Sequence, residues 1–220
     1  KRESGVAWHL LMSLLPKQHS VVSPTHGTKW RDWVPDSPVK ITVQEYREAT
    51  TAILNRLIED AGTHLARWCS LINAMSGMED EQQKILLQHL ENLDPSQFPS
   101  RERAEICACL RSETTRHLDF SDADWAMPVE HIQRLEAIKA RFEPEDLLER
   151  YRWLFSHNLA LPEMWGKWEE RDQVAQELRV EALQAIIRAQ GWPGVLKLAE
   201  QASEPGLVGQ ILATGELLPI

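Results

Sequence analysis

Helical periodicity, interrupted at intervals by proline, is the feature that most narrows what this chain can become. Tyr46, Ile53, Leu57, Ala61, Leu65, Trp68, Ile72 and Met75 recur at steps that place them along one face of a helix. Thr42-Val43-Gln44-Glu45 precedes them as a capping box: a hydroxyl for a free helical amide and a glutamate that reaches back. Gly62 is positioned to kink or break this long stretch, Val43–Met75, and Ser76-Gly77 ends it. The reading is of one helical spine.

Shorter helical patterns lie on either side. Val6–Leu15 is apolar and stops at Pro16. Further patterns are expected over Asp80–Leu93, Arg101–Leu118 and Val129–Phe142. Pro144, followed by Glu145 and Asp146, marks another start that runs on through Phe155. Trp168–Gln190 is long again, with Gly191 as its cap. Pro193 and Pro205 each open a further short helix. Val39–Val43 is the one segment with strand character, and it is too short to build a sheet. These patterns predict an all-α fold: an irregular helical-hairpin array or α-solenoid-like bundle of about 8–10 helices, with no strict repeat. Two regions are expected, an N-terminal helix with a long loop over residues 1–42 and a helical-hairpin array over 43–220.

Composition excludes several classes. An apolar fraction of 43% with 26% charged residues is ordinary globular usage, so disorder is not indicated. A net charge of -9 disfavours nucleic-acid binding by the surface at large. The charge is uneven: residues 1–42 carry six Lys or Arg against three Asp or Glu, and the remainder carries 18 against 30. A basic head on an acidic body leaves DNA binding by the head alone as a minor alternative, testable by its salt dependence. No apolar run approaches the roughly 18 residues of a membrane span. Cys69, Cys107 and Cys109 are odd in number and lack metal-knuckle spacing, and no secretory signal precedes them. Reduced thiols in the cytoplasm are therefore expected, with Cys107 on an apolar helical face. Because the chain opens on Lys1 rather than Met, it is read as part of a longer polypeptide.

Catalytic spacings are missing. His-Glu-x-x-His, Glu-x-x-His, the phosphate loop, Gly-x-Gly-x-x-Gly and Gly-x-Ser-x-Gly do not occur, and no cofactor or metal is expected. The unusual segment is the proline-rich stretch 16–42, since long loops in compact domains tend to be functional. Within it His19, His26, Lys29, Trp30, Arg31 and Trp33 combine cations with flat rings, a pairing suited to phosphate, nucleobase or peptide. The competing reading has Trp30 and Trp33 pinning the loop while the basic residues stay solvated; a His19–His26 metal pair would lack a third ligand. A second cluster, Trp153, His157, Trp165 and Trp168, reads first as filler where irregular hairpins meet and second as a binding hot spot. Arg111, Arg116 and the acids around them read as a solvated helix face.

Four stretches carry a resemblance. They are Ala7–Pro16, Pro24-Thr25-His26 with Trp30-Arg31-Asp32-Trp33, Tyr151-Arg152-Trp153-Leu154-Phe155, and Gly191–Gly209 with its Gly194-Val195-Leu196-Lys197-Leu198-Ala199 centre. Together they resemble HEAT-like helical-repeat regions of very large bacterial defence proteins of the STAND type, including nucleotide-hydrolysing antiphage sensors. The resemblance implies a sensor or scaffold segment whose catalytic domain lies elsewhere. No ATPase role carries over, because the phosphate loop is missing here. The expected function is a non-enzymatic scaffold or recognition segment of a larger bacterial protein with a protein partner. The alternative is a phosphate- or nucleotide-binding helical domain, with possible hydrolase activity, using His19, His26, Lys29 and Arg31.

Overall fold

The computed structural model describes residues 2–16, 41–157, 159–215 and 217. The described residues contain helices and connections and no strand. In chain order the helices are α1 (Arg2–Leu14), α2 (Val43–Ala61), α3 (Leu65–Ala74), α4 (Asp80–Asn92), α5 (Ser100–Asp119), α6 (Val129–Phe142), α7 (Leu147–Tyr151), α8 (Trp168–Gln201) and α9 (Pro205–Thr214). Short 3₁₀ turns extend α3 and α7 and join α4 to α5.

Local chemistry explains most of the boundaries. The Glu45 backbone N–H donates to Thr42 Oγ1 at 3.2 Å, and the Thr42 N–H donates to Glu45 Oε2 at 2.8 Å, so the expected capping box opens α2. Glu79 and Gln82 form a second box at α4. Asp146 rather than Pro144 caps α7, accepting from the Leu148 N–H at 2.8 Å. Gly191 bends α8 with φ 65° and ψ −162°, a conformation nearly confined to glycine. Pro193 then restarts the helix and Pro205 begins α9.

The expected spine over Val43–Met75 is broken rather than kinked. Gly62 adopts φ 47° and ψ −118°, so α2 stops at Ala61 and α3 leaves in a new direction. The Trp68 indole N–H donates to the Gly62 carbonyl at 2.7 Å and fixes the turn. Helix contacts then fall into two rows. α2, α4 and α6 touch in sequence along one row, and α3, α5 and α7 along the other. Contacts α2–α3 and α5–α6 tie the rows together, α1 lies on α2, and α8 packs on α7 and α9. This is an irregular array of helical hairpins.

The array holds separate apolar cores. The first runs from Trp8 to Phe142 and includes Leu57, Trp68, Leu87, Leu110 and Leu135. Several buried polar side chains here are paired across helices, as burial demands. Gln82 Nε2 donates to Thr50 Oγ1 at 2.7 Å, and His131 Nδ1 lies 2.9 Å from Gln83 Oε1. The second core joins Leu148, Phe155, Leu183, Ile186, Leu198 and Ile211. A small third cluster, Leu159, Leu161 and Ala175, anchors the connection before α8. Cys107 is buried, as its place on an apolar face predicts.

Candidate functional site

His19, His26, Lys29, Trp30, Arg31 and Trp33 lie outside the described residues. Of their upstream neighbours, Trp8 is buried in the first core with the Arg67 guanidinium 4.8 Å from its ring centroid, and His9 is exposed. The feature that stands out among the described residues is the second tryptophan cluster, in an arrangement different from filler.

Two chain segments build it. The first follows α5. Phe120 leaves the helix at φ −124° and ψ 43°, and a tight turn carries the chain to Trp125, with hydrogen bonds from the Ala123 N–H to Phe120 O and from the Ala126 N–H to Ala123 O. Buried His117 secures this turn. Its Nδ1 accepts from the Met127 backbone N–H at 3.1 Å, which leaves the proton on Nε2 facing Glu113 at 3.2 Å. The Trp125 ring stands edge-on to His117 at 5.4 Å.

The second segment is the connection into α8. Leu159 and Leu161 point into their cluster, and the Met164 N–H donates to Asp119 Oδ1 at 3.1 Å, stitching the connection to the end of α5. Glu163 holds φ 62°, the one left-handed non-glycine among the described residues, and Gly166 holds φ 77°. These turns project Trp165 outward and deliver the chain to Trp168 at the start of α8. Arg171 donates to the Leu159 carbonyl at 2.9 Å and closes the loop.

The resulting rings form a continuous ridge. Centroid separations are 5.8 Å for Trp125–Phe120, 5.1 Å for Phe120–Trp165 and 6.2 Å for Trp165–Trp168, each pair tilted. Such spacings are favourable ring contacts, and they hold the ridge together without burying it. Trp165 is 62% exposed and Trp168 57%. The filler reading therefore fails for these two residues. It holds for Trp153, which is half-buried and packs against both the second core and the Leu159 cluster. His157 is exposed and reaches Glu204 at 3.2 Å, away from the ridge contacts.

Charge surrounds the ridge unequally. Exposed Asp122, Asp124, Glu163, Glu169, Glu170 and Asp172 flank it, against Arg116, Lys167 and Arg171. Two of those cations already use the ring faces: Arg116 sits 5.0 Å from the Trp125 centroid and Arg171 5.6 Å from that of Trp168. An acidic surface set with aromatic faces is suited to cationic side chains of a partner.

The structure also corrects the reading of Arg111. Rather than joining a solvated face, its guanidinium lies 3.5 Å over the Trp153 ring at the wall of a cleft. Sequence spacing carries no signal for this contact, since the ring comes from beyond α6. No group of three or more His, Cys, Asp or Glu able to hold a metal occurs among the described residues. None of the described helices is long and apolar enough to cross a membrane. Comparison with protein-family models, with curated proteins and with solved structures found no match to this chain.

Proposed function

We propose that this chain is a helical recognition segment that holds a polypeptide partner on the Phe120–Trp125–Trp165–Trp168 ridge. The observation that carries the reading is the exposure of Trp165 and Trp168 side by side in ring contact. Leaving two large rings in water forgoes the burial that a folded chain ordinarily gains from them, and adjacent exposed aromatics mark interaction surfaces. The two segments of the ridge are tied down by the Met127–His117 and Met164–Asp119 hydrogen bonds, so a partner would meet a preformed surface and little ordering cost. The flanking carboxylates favour a partner segment bearing Arg or Lys. The role fits a scaffold in which stacked hairpins supply rigidity and one edge supplies contact.

The test is selection of peptides from a random display library on the intact chain, followed by titration against the double variant Trp165→Ala/Trp168→Ala. Enriched peptides should be basic and should bind less tightly as salt is raised. The double variant should weaken them by about thirtyfold or more, the scale of a hot-spot loss near 2 kcal/mol. Peptides that bind both forms alike, or a library that yields no specific binder, would refute the reading.

A further inference from the structure

We propose that the cleft between α5, α6 and α7 is a second site, which binds a small carboxylic acid carrying a hydroxyl or amino group, with Arg111 as the carboxylate receptor. The cleft has a volume of about 360 Å³ and adjoins a lobe of about 320 Å³ that shares Arg111 and Trp153 in its wall. Either volume suits a small metabolite.

The charge inventory of the cleft identifies the ligand. Four acids and four bases line it: Glu105, Glu136, Glu143 and Glu149 against Arg111, Lys139, Arg150 and Arg152. Each acid has a basic partner: Glu136 pairs with Lys139, Glu143 with Arg150 at 3.8 Å, Glu149 with Arg152 at 3.3 Å, and Glu105 with Arg101 at 3.7 Å. Arg111 is left over. Among the described residues no carboxylate comes within ion-pair distance of it; its guanidinium lies on the Trp153 face, with Glu136 and Glu143 attracting it from farther off. Burial pulls its pKa below the ordinary arginine value, the mark of a cation that has lost part of its water, while Glu136 and Glu143 pull more weakly the other way. A guanidinium carries a planar fork of N–H donors, the group that receives a carboxylate bidentately.

One spare positive charge balances a monoanion. A phosphate dianion would face the four carboxylates with a single uncompensated cation, so carboxylate is the favoured head group. The same wall holds a complementary vacancy for a donor. Glu149 Oε2 is buried and accepts no hydrogen bond, although Arg152 lies 3.3 Å from it off the hydrogen-bonding line. Turned toward the cleft, that oxygen would accept from a ligand hydroxyl or ammonium. Ala104, Ala108 and Ala140 leave room for a short carbon skeleton.

Isothermal titration of the intact chain with glycolate, L-lactate, glycine and L-serine tests this, with acetate and inorganic phosphate alongside. At least one hydroxy or amino acid should bind saturably and more tightly than acetate or phosphate. Arg111→Gln should weaken it tenfold or more while circular dichroism stays unchanged, and Arg111→Lys should weaken it less. Glu149→Gln should erase the advantage over acetate. The proposal is overturned if none of the four acids binds saturably, if phosphate binds best, or if Arg111→Gln binds as the parent does. Should Arg111→Gln fail to fold, Arg111→Lys and Glu149→Gln decide the matter alone: unchanged affinity in both overturns it.

Discussion

Replacing Gly62 by alanine decides whether the α2–α3 break is a property of the backbone, and the sign of the effect carries the answer. At φ 47° and ψ −118°, Gly62 occupies a region that a residue with a Cβ reaches only with strain. A Cβ placed there would meet no heavy atom within 4 Å, so side-chain crowding contributes nothing and the whole effect is backbone strain. That strain is about 1–3 kcal/mol. If Val43–Met75 were instead one continuous helix, the same substitution would remove a helical glycine and stabilise the chain by about 0.5–1 kcal/mol. Gly209 provides the control, since it lies inside α9 with open space around its Cα. For a chain of this size 1 kcal/mol moves Tm by roughly 2–4 °C. Gly62→Ala should therefore lower Tm by about 2–12 °C, and Gly209→Ala should raise it by about 1–4 °C. Thermal and urea unfolding followed by far-ultraviolet circular dichroism measures both. A rise in Tm for Gly62→Ala, parallel to Gly209→Ala, would refute the break and with it the two-row arrangement of helices.

Three further expectations concern charge, thiols and the ridge. Arg134 holds Glu91 through two hydrogen bonds of 2.7 and 2.9 Å, and this keeps the Glu91 carboxyl below its ordinary value of 4.5. The α4–α6 contact thus gains stability above about pH 4.5 and loses it as pH falls further; at this exposure the loss is roughly 0.5–1 kcal/mol. Denaturant midpoints between pH 6 and 3 should fall less steeply in Glu91→Gln than in the parent, and equal slopes would contradict the assignment. Burial pushes the Cys107 thiol up to about 11, whereas a hydrogen bond from Cys69 pulls Cys109 down. Iodoacetamide at pH 8 should therefore modify Cys109 ahead of Cys69 and Cys107, whose thiols are both raised, as mass spectrometry of timed digests would reveal, and Cys69→Ala should slow Cys109. Trp165→Ala/Trp168→Ala should leave the unfolding free energy within about 0.5 kcal/mol per site, because exposed rings stabilise little; a much larger loss would mean the ridge is structural.

What the sequence made legible was local. Thr42 and Glu45 are three residues apart and announce α2 unaided, and Val129–Phe142 appears with the bounds its periodicity predicts. Pro205 opens α9 for the same reason. The Gly62 break was visible as a glycine but not as a change of direction, because a kinked helix and a turn share one apolar periodicity. The ridge was half visible. Trp165 and Trp168 are close in sequence, yet the contact of Trp165 with Phe120 depends on Asp119 capturing the Met164 amide across the fold. His117 and His131 gave no sequence sign of being buried, since each is satisfied by partners that only packing supplies. The basic loop residues drew attention by composition, and they fall outside the described residues.

Trp153 sits where these independent parts meet. Its ring packs on the second core and on the Leu159 cluster, and its face receives Arg111 from α5, a helix of the first core. A seam between separate cores has no periodic partner to fill it, so long amphipathic side chains span it: a ring with one apolar face and a guanidinium whose stem is apolar. The Arg111–Trp153 contact should then carry coupling that neither residue has alone. Partial burial sets the scale at about 1–2 kcal/mol, above the value for an exposed cation–ring pair. A double-mutant cycle of Arg111→Ala, Trp153→Ala and the double variant, read by urea unfolding, isolates it. Trp153→Ala alone should cost about 3–5 kcal/mol, because the cavity opens onto two clusters at once. A coupling below about 0.3 kcal/mol, within the additivity expected of independent sites, would mean that the guanidinium merely neighbours the ring. The contact of α5 with α7 would then rest on its other residues rather than on this pair.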